Sequence, residues 1–204
     1  MAKLRLLTSV AVMVAMLMAA LPATAFAHTK ARVECEITLF VTDPGADAVK
    51  EKKKHFKVKN SGQLTEGFIE CFDESTGALV PSFSGMIATD HGSSVKLDKS
   101  TGEFKGKLQG KVTLISLGSD GIGGTADDQV LEGKISGKVE GNGVLVPGFA
   151  GPMFPDATLV ALSETITGKM ILKGTDIKVK GKFGVELVGG ALEGEVDGDV
   201  HNRD

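Results

Sequence analysis

The 204-residue chain contains no tryptophan and no tyrosine, and ten phenylalanines are its only aromatic residues. Without flat amphipathic rings it lacks the usual stacking platforms for bases and sugars. Basic residues are not in excess either: 23 Lys and Arg stand against 26 Asp and Glu. A mildly acidic chain is not a general nucleic-acid binder, because phosphate neutralisation needs a basic surface. Enzyme signatures are missing: there is no G-x-S-x-G, no H-E-x-x-H and no phosphate-cradling G-x-x-x-x-G-K-S/T. Asp90-His91 followed by Ser93-Ser94 offers the residue types of a triad. Sequence neighbours on one turn rarely converge on one substrate, so a surface turn is the expectation there.

Cysteine is nearly absent, and the two present, Cys35 and Cys71, have no C-x-x-C spacing. Both sit in strand-like runs, VECEITLF and GFIECF, and the expectation is a disulfide tying neighbouring strands in an oxidising compartment. Export is also read from the N-terminus. Lys3 and Arg5 precede an uncharged apolar run, Leu6 to Leu21, and Ala25-Phe26-Ala27 forms an A-x-A cleavage signal. Residues 1–27 thus read as a secretory signal peptide cut after Ala27, with a periplasmic or secreted destination. Residues 28–204 read as a single domain of net charge −5, since 21 bases then face 26 acids (23 minus Lys3 and Arg5). No second run is long enough for a membrane-spanning helix.

What the chain does have is glycine, 27 residues of it, set inside strand patterns. In Leu131 to Gly141, the odd positions are Leu, Gly, Ile, Gly, Val, Gly and the even ones Glu, Lys, Ser, Lys, Glu. A period of two with one apolar or glycine face is a strand wet on one side. From Glu103 the same weave sets Phe104, Gly106, Leu108, Gly110, Val112 and Leu114 against Lys105, Lys107, Gln109, Lys111 and Thr113. Further strands are expected at 32–42, 55–60, 66–73, 159–173, 176–188 and 191–200. Ala46 to Lys54 reads as a helical turn or loop, Ser61-Gly62 as a turn, and Gly141-Asn142-Gly143 as a strand end. Asp73-Glu74-Ser75-Thr76-Gly77 recurs as Asp98-Lys99-Ser100-Thr101-Gly102, and both copies read as hairpin turns leading into alternating strands.

Glycine inside a strand costs roughly 0.5–1 kcal/mol against alanine, so repeated use implies a geometric need such as sharp coiling. The fold class expected is all-β: an antiparallel meander of about ten strands closing into a small β-barrel, with a β-sandwich as the alternative. The weave could be inverted as a membrane barrel with charges inside, but aromatic girdles are missing and the chain is not expected to be transmembrane.

Four features carry site expectations. The loop Gly118 to Asp128 resembles the Asp/Gly-rich calcium loops of exported bacterial proteins, with Asp120, Asp127 and Asp128 as oxygen donors for Ca²⁺; solvated turn-capping is the bland alternative. His28, at the expected mature N-terminus, suits copper if His55, His91 or His201 lies near. The run Lys50, Lys52, Lys53, Lys54, His55, Lys57, Lys59 reads foremost as guarding an exposed edge strand, and secondarily as meeting an anionic surface. The proline-rich stretch 146–158 presents Phe149, Met153 and Phe154 as a ligand or partner loop, or as a barrel plug.

The segment STGEFKGKLQGKV (Ser100 to Val112) resembles the G-T-G-x-F-x-G strand of the dirigent and allene-oxide-cyclase-like barrels. That resemblance implies a small antiparallel barrel with an apolar interior and transfers no functional residue. The functional expectation is an exported non-enzymatic β-barrel with a structural or interaction role, or a carrier of an apolar small molecule, with a protein partner as the other class. A cyclase- or isomerase-like enzyme and a calcium- or copper-binding periplasmic protein are the alternatives. A cavity above ~300 Å³ would mark a binding barrel, and a filled interior a structural one.

Overall fold

The computed structural model describes residues 31–43, 45–147, 157–175 and 177–202. The expected signal peptide, His28 and the Phe149, Met153, Phe154 loop lie outside the described residues. Nine strands form a single antiparallel sheet: β1 (Ala31–Asp43), β2 (Ala46–Glu51), β3 (His55–Asp73), β4 (Gly85–Asp98), β5 (Glu103–Ser116), β6 (Val130–Pro147), β7 (Ala157–Lys173), β8 (Ile177–Val188) and β9 (Ala191–Asn202). Each pairs with its successor from β3 to β9, and β1 pairs with both β3 and β9. Hydrogen bonding therefore runs in a ring, and the closed sheet is barrel-like rather than a sandwich.

The ring is not a regular barrel. β2 continues β1 along the partner strand: β1 pairs with Leu64–Asp73 of β3 and β2 with Phe56–Ser61. The stretch read as a helical turn is thus a strand, because the edge of β3 supplies pairing that local propensity cannot anticipate. Ser61-Gly62 is not a turn either. It is a bulge inside the single 19-residue β3, with Gly62 at φ 72° and the register to β4 slipping between Asn60 and Gln63. Gly141-Asn142-Gly143 likewise shifts register without ending β6. Beyond the ring, β2 approaches the start of β7, where the Leu159 N–H donates to Asp47 Oδ2 at 2.9 Å.

The two D-x-S-T-G turns share one geometry. Asp73 Oδ1 accepts from the N–H groups of Ser75 and Thr76 at 3.0 and 2.9 Å; Asp98 Oδ1 does so from Ser100 and Thr101 at 2.8 and 3.1 Å. Gly77 and Gly102 take φ of 67° and 73°, which only glycine adopts without strain. The chain leaves the two turns differently. Gly102 leads straight into β5, whereas Gly77 leads into an irregular crossing with a short 3₁₀ turn, Pro81–Phe83, before β4 begins. The repeat is one of turn chemistry and does not extend to paired hairpins.

The glycine face is the inside. Leu131, Ile135 and Val139 are buried while Glu132, Lys134, Ser136, Lys138 and Glu140 are exposed. At Gly133 an added Cβ would overlap the carbonyl oxygen of Ile171, and at Gly67 that of Thr38. The coiling brings each neighbouring backbone into the space a side chain would fill, which is why these positions are glycine. Around them pack Val33, Ile37, Ile69, Ile87, Val112, Leu114, Leu172 and Val196, all buried. Cys35 and Cys71 stand directly opposite one another on β1 and β3, with Cα atoms 3.9 Å apart and sulfurs at bonding distance inside the barrel.

Candidate functional site

The interior is filled. Among the described residues, a cavity of about 40 Å³ is lined by Ile37, Ile135, Met170, Phe183, Thr89 and His91, among others. That is room for one or two waters, against roughly 300–1,000 Å³ for small-molecule sites. At its edge runs a buried polar chain: Thr65 Oγ1 lies 2.8 Å from Thr89 Oγ1, which lies 2.8 Å from His91 Nδ1. Burial pushes the His91 pKa down, with the Asp90 carboxylate pulling it up more weakly. A second inward group is Glu164 on β7, opposite Gly141, whose pKa burial pushes up. Six residues of β5 separate Phe104, level with Glu164, from Gly110, level with His91, so the two groups are about 20 Å apart along the barrel.

Motif reading assigns neither group to the interior, yet parity carries the signal. Glu164 shares its face with Ile166, Gly168, Met170 and Leu172, and His91 shares its face with Ile87 and Thr89. His91 is therefore drawn into the core while Asp90 and the hydroxyls nearby are not held in a triad: its Nδ1 meets Thr89.

In the acidic loop, the carboxylates turn to the loop itself. Asp127 Oδ2 accepts from Ser119 N and Oγ (2.6 and 2.7 Å) and from the Asp120 N–H (3.1 Å), while Thr125 Oγ1 donates to Asp127 Oδ1 at 2.6 Å. The Thr125 and Ser119 hydroxyls and the Ser119 N–H hold the Asp127 carboxyl well below the usual range. Asp120 Oδ1 accepts from the Ile122 N–H and Asp128 Oδ2 from the Gly124 N–H, at 2.9 and 2.6 Å. This is turn-capping geometry. Among the described residues no cluster of three or more His, Cys, Asp or Glu is arranged to hold a metal ion.

The outer wall is where the register brings charge together. Lys50, Lys57, Lys96 and Lys105 stand directly opposite one another across β2, β3, β4 and β5. Lys107 faces Lys138, Lys111 faces Lys134, Lys169 faces Lys182 and Lys173 faces Lys178. Elsewhere on the wall acids meet: Glu34 faces Asp197, Glu36 faces both Glu195 and Glu70, and Glu186 faces Glu193. Like charges directly opposite in a sheet are unfavourable, by roughly 0.2–1 kcal/mol a pair. Edge protection does not account for the lysines, since β3, β4 and β5 are paired on both sides and only Lys50 belongs to the unclosed strand β2.

Over the basic side lies an open groove of about 1120 Å³ lined by Lys59, Lys107, Lys138, Lys169 and Lys182 with the single acid Asp90. Among the described residues none of these five lysines forms an ion pair. An apolar row, Phe68, Met86, Ile115 and Val130, crosses the outside of β3 to β6, each residue opposite the next and each exposed.

Fold and site together define a barrel-like all-β protein with a packed apolar interior and an exterior where the lysine pairs stand beside mixed pairs such as Lys105–Glu140, Lys111–Asp90, Lys173–Glu132 and Lys182–Asp197. Compared with family models, curated proteins and solved structures, the chain matches none. Among the described residues no helix is long and apolar enough to cross a membrane.

Proposed function

We propose that the protein is an exported, non-enzymatic interaction protein that works through the outside of its barrel. The observation that carries this reading is the contrast between the two faces. The interior leaves about 40 Å³, too little for an apolar cargo, while the exterior keeps seven unfavourable lysine pairs and an exposed apolar row. A surface pattern that costs stability is most simply retained for a partner. The cyclase or isomerase alternative is weakened because Glu164 does not line the cavity that His91 borders. The paired cysteines and the N-terminal signal pattern support a periplasmic or secreted location.

Native mass spectrometry of the protein recovered from the exported fraction tests this. The expected species lacks residues 1–27, carries one disulfide and retains no small molecule. A non-covalent ligand at unit stoichiometry, or an uncleaved reduced chain confined to the cytoplasm, would overturn the reading.

A further inference from the structure

We infer that the lysine-lined groove is a binding site for an unbranched anionic polysaccharide. This rests on the interaction reading above and names the partner. Its floor is the backbone of the row Ser93, Leu108, Gly137, Gly168, whose side-chain positions face the barrel interior, and its walls are the outward rows on either side. Lys59 on β3, Lys107 on β5, Lys138 on β6, Lys169 on β7 and Lys182 on β8 place cations across five strand intervals, about 24 Å at ~4.8 Å each. Among the described lining residues the acid is Asp90, and Asp197 opposite Lys182 and Glu140, two residues from Lys138, stand at the margin of that positive field.

The chemistry between the lysines narrows the class. Ser94, Gln109, Ser136 and Thr167 place hydroxyl and amide groups along the same rows, suited to sugar hydroxyls. No phenylalanine lines the groove and its one imidazole, His91, is buried, which removes the stacking that single-stranded nucleic acid uses. Its one large apolar lining residue, Leu108, is buried, so nothing there inserts into a bilayer. A second copy fits less well. The acidic row Glu195, Glu36, Glu70 crosses only two strand intervals, about 10 Å, and would leave half the lysines uncovered.

The test uses the full chain at about 0.15 M salt, where exposed charges beyond ~8 Å are screened. Polygalacturonate, dextran sulfate, neutral dextran, polyphosphate, single-stranded DNA and anionic vesicles are compared by biolayer interferometry. Binding of at least one charged glycan, and none of neutral dextran, is expected. Lys107→Gln with Lys138→Gln should weaken it about 25-fold, at about fivefold per lysine contact, while Lys52→Gln with Lys53→Gln in the distant turn should change it less than about twofold. The groove variant should melt no lower than wild type, because it removes a Lys–Lys repulsion. The inference is overturned if neither charged glycan binds, or if the two double variants behave alike. Tighter binding of DNA, polyphosphate or vesicles, or salt-sensitive self-association abolished by the groove variant, also overturns it. A ligand inside the barrel sinks the broader reading; an empty barrel that ignores glycans sinks only this one.

Discussion

Replacing Lys96 by glutamate should make the barrel more stable at low ionic strength. Lys96 is exposed on β4 and stands directly opposite Lys57 on β3 and Lys105 on β5. The substitution turns two repulsive cross-strand pairs into two attractive ones. At roughly 0.2–1 kcal/mol for each repulsion lost and each attraction gained, the sum lies between about 1 and 4 kcal/mol. Solvent exposure and the existing Lys105–Glu140 pair argue for the lower half, about 1–2 kcal/mol. For a domain of this size that is a rise in Tm of about 3–6 °C. Thermal melts in dilute buffer should show it, with Lys96→Gln giving about half the gain. In about 1 M salt, where the screening length is ~3 Å, the gain should vanish. Lys53→Glu, which changes charge equally in a turn with no cross-strand partner in the sheet, should do little. A wild-type or lower Tm in dilute buffer refutes the reasoning, and so does a gain that survives high salt.

Gly133→Ala should cost about 3 kcal/mol or more or prevent folding, because its Cβ would meet the Ile171 carbonyl, whereas Gly184→Ala, with nothing nearer than Thr167 Cγ2 at 4.0 Å, should stabilise by about 0.5–1 kcal/mol; chemical denaturation of both checks this. Breaking the Cys35–Cys71 bridge by a double alanine substitution closes no 36-residue loop and should lower unfolding free energy by about 3–4 kcal/mol, read from urea midpoints. Glu164, with its folded pKa raised by burial, favours folding when protonated. Its contribution should be intact below the unfolded value near 4.5 and fall as pH rises through the folded value, so that Glu164→Gln is more stable than wild type at neutral pH and equal to it in acid. Equal melting curves for the two at pH 7 would contradict that.

Face assignment was legible in the sequence because parity is local. Leu131 to Gly141 and Phe104 to Leu114 sort into inside and outside by counting residues, and closure follows from glycines that have no other use in a strand. The cysteine pairing between neighbouring strands was equally readable. Three things were not. β2 has the composition of a helical turn and becomes a strand only against β3. Ser61-Gly62 and Gly141-Asn142-Gly143 carry turn residues, yet each is absorbed as a bulge within a long strand. The lysine wall depends on register between neighbouring strands: Lys169 and Lys182 face each other because the β7–β8 connection sets that alignment. No single strand contains that information, so the groove was invisible until the strands were laid side by side.

The seam between β1 and β9 has a kinetic consequence. Ala31 pairs with Val200, so the ring can be completed only when the two most distant strands of the described chain have met. The disulfide ties β1 to β3 and leaves β9 unbound, while Glu34–Asp197 and Glu36–Glu195 set like charges across that join. Held across the seam by the Arg32–Asp199 ion pair, this joint is expected to form last and open first, behaving as a clasp. Opened, it bares two strand edges lined with carboxylates, which repel the same edge on a second molecule. High salt screens that repulsion, and partly unclasped barrels should then link edge to edge by exchanging β9.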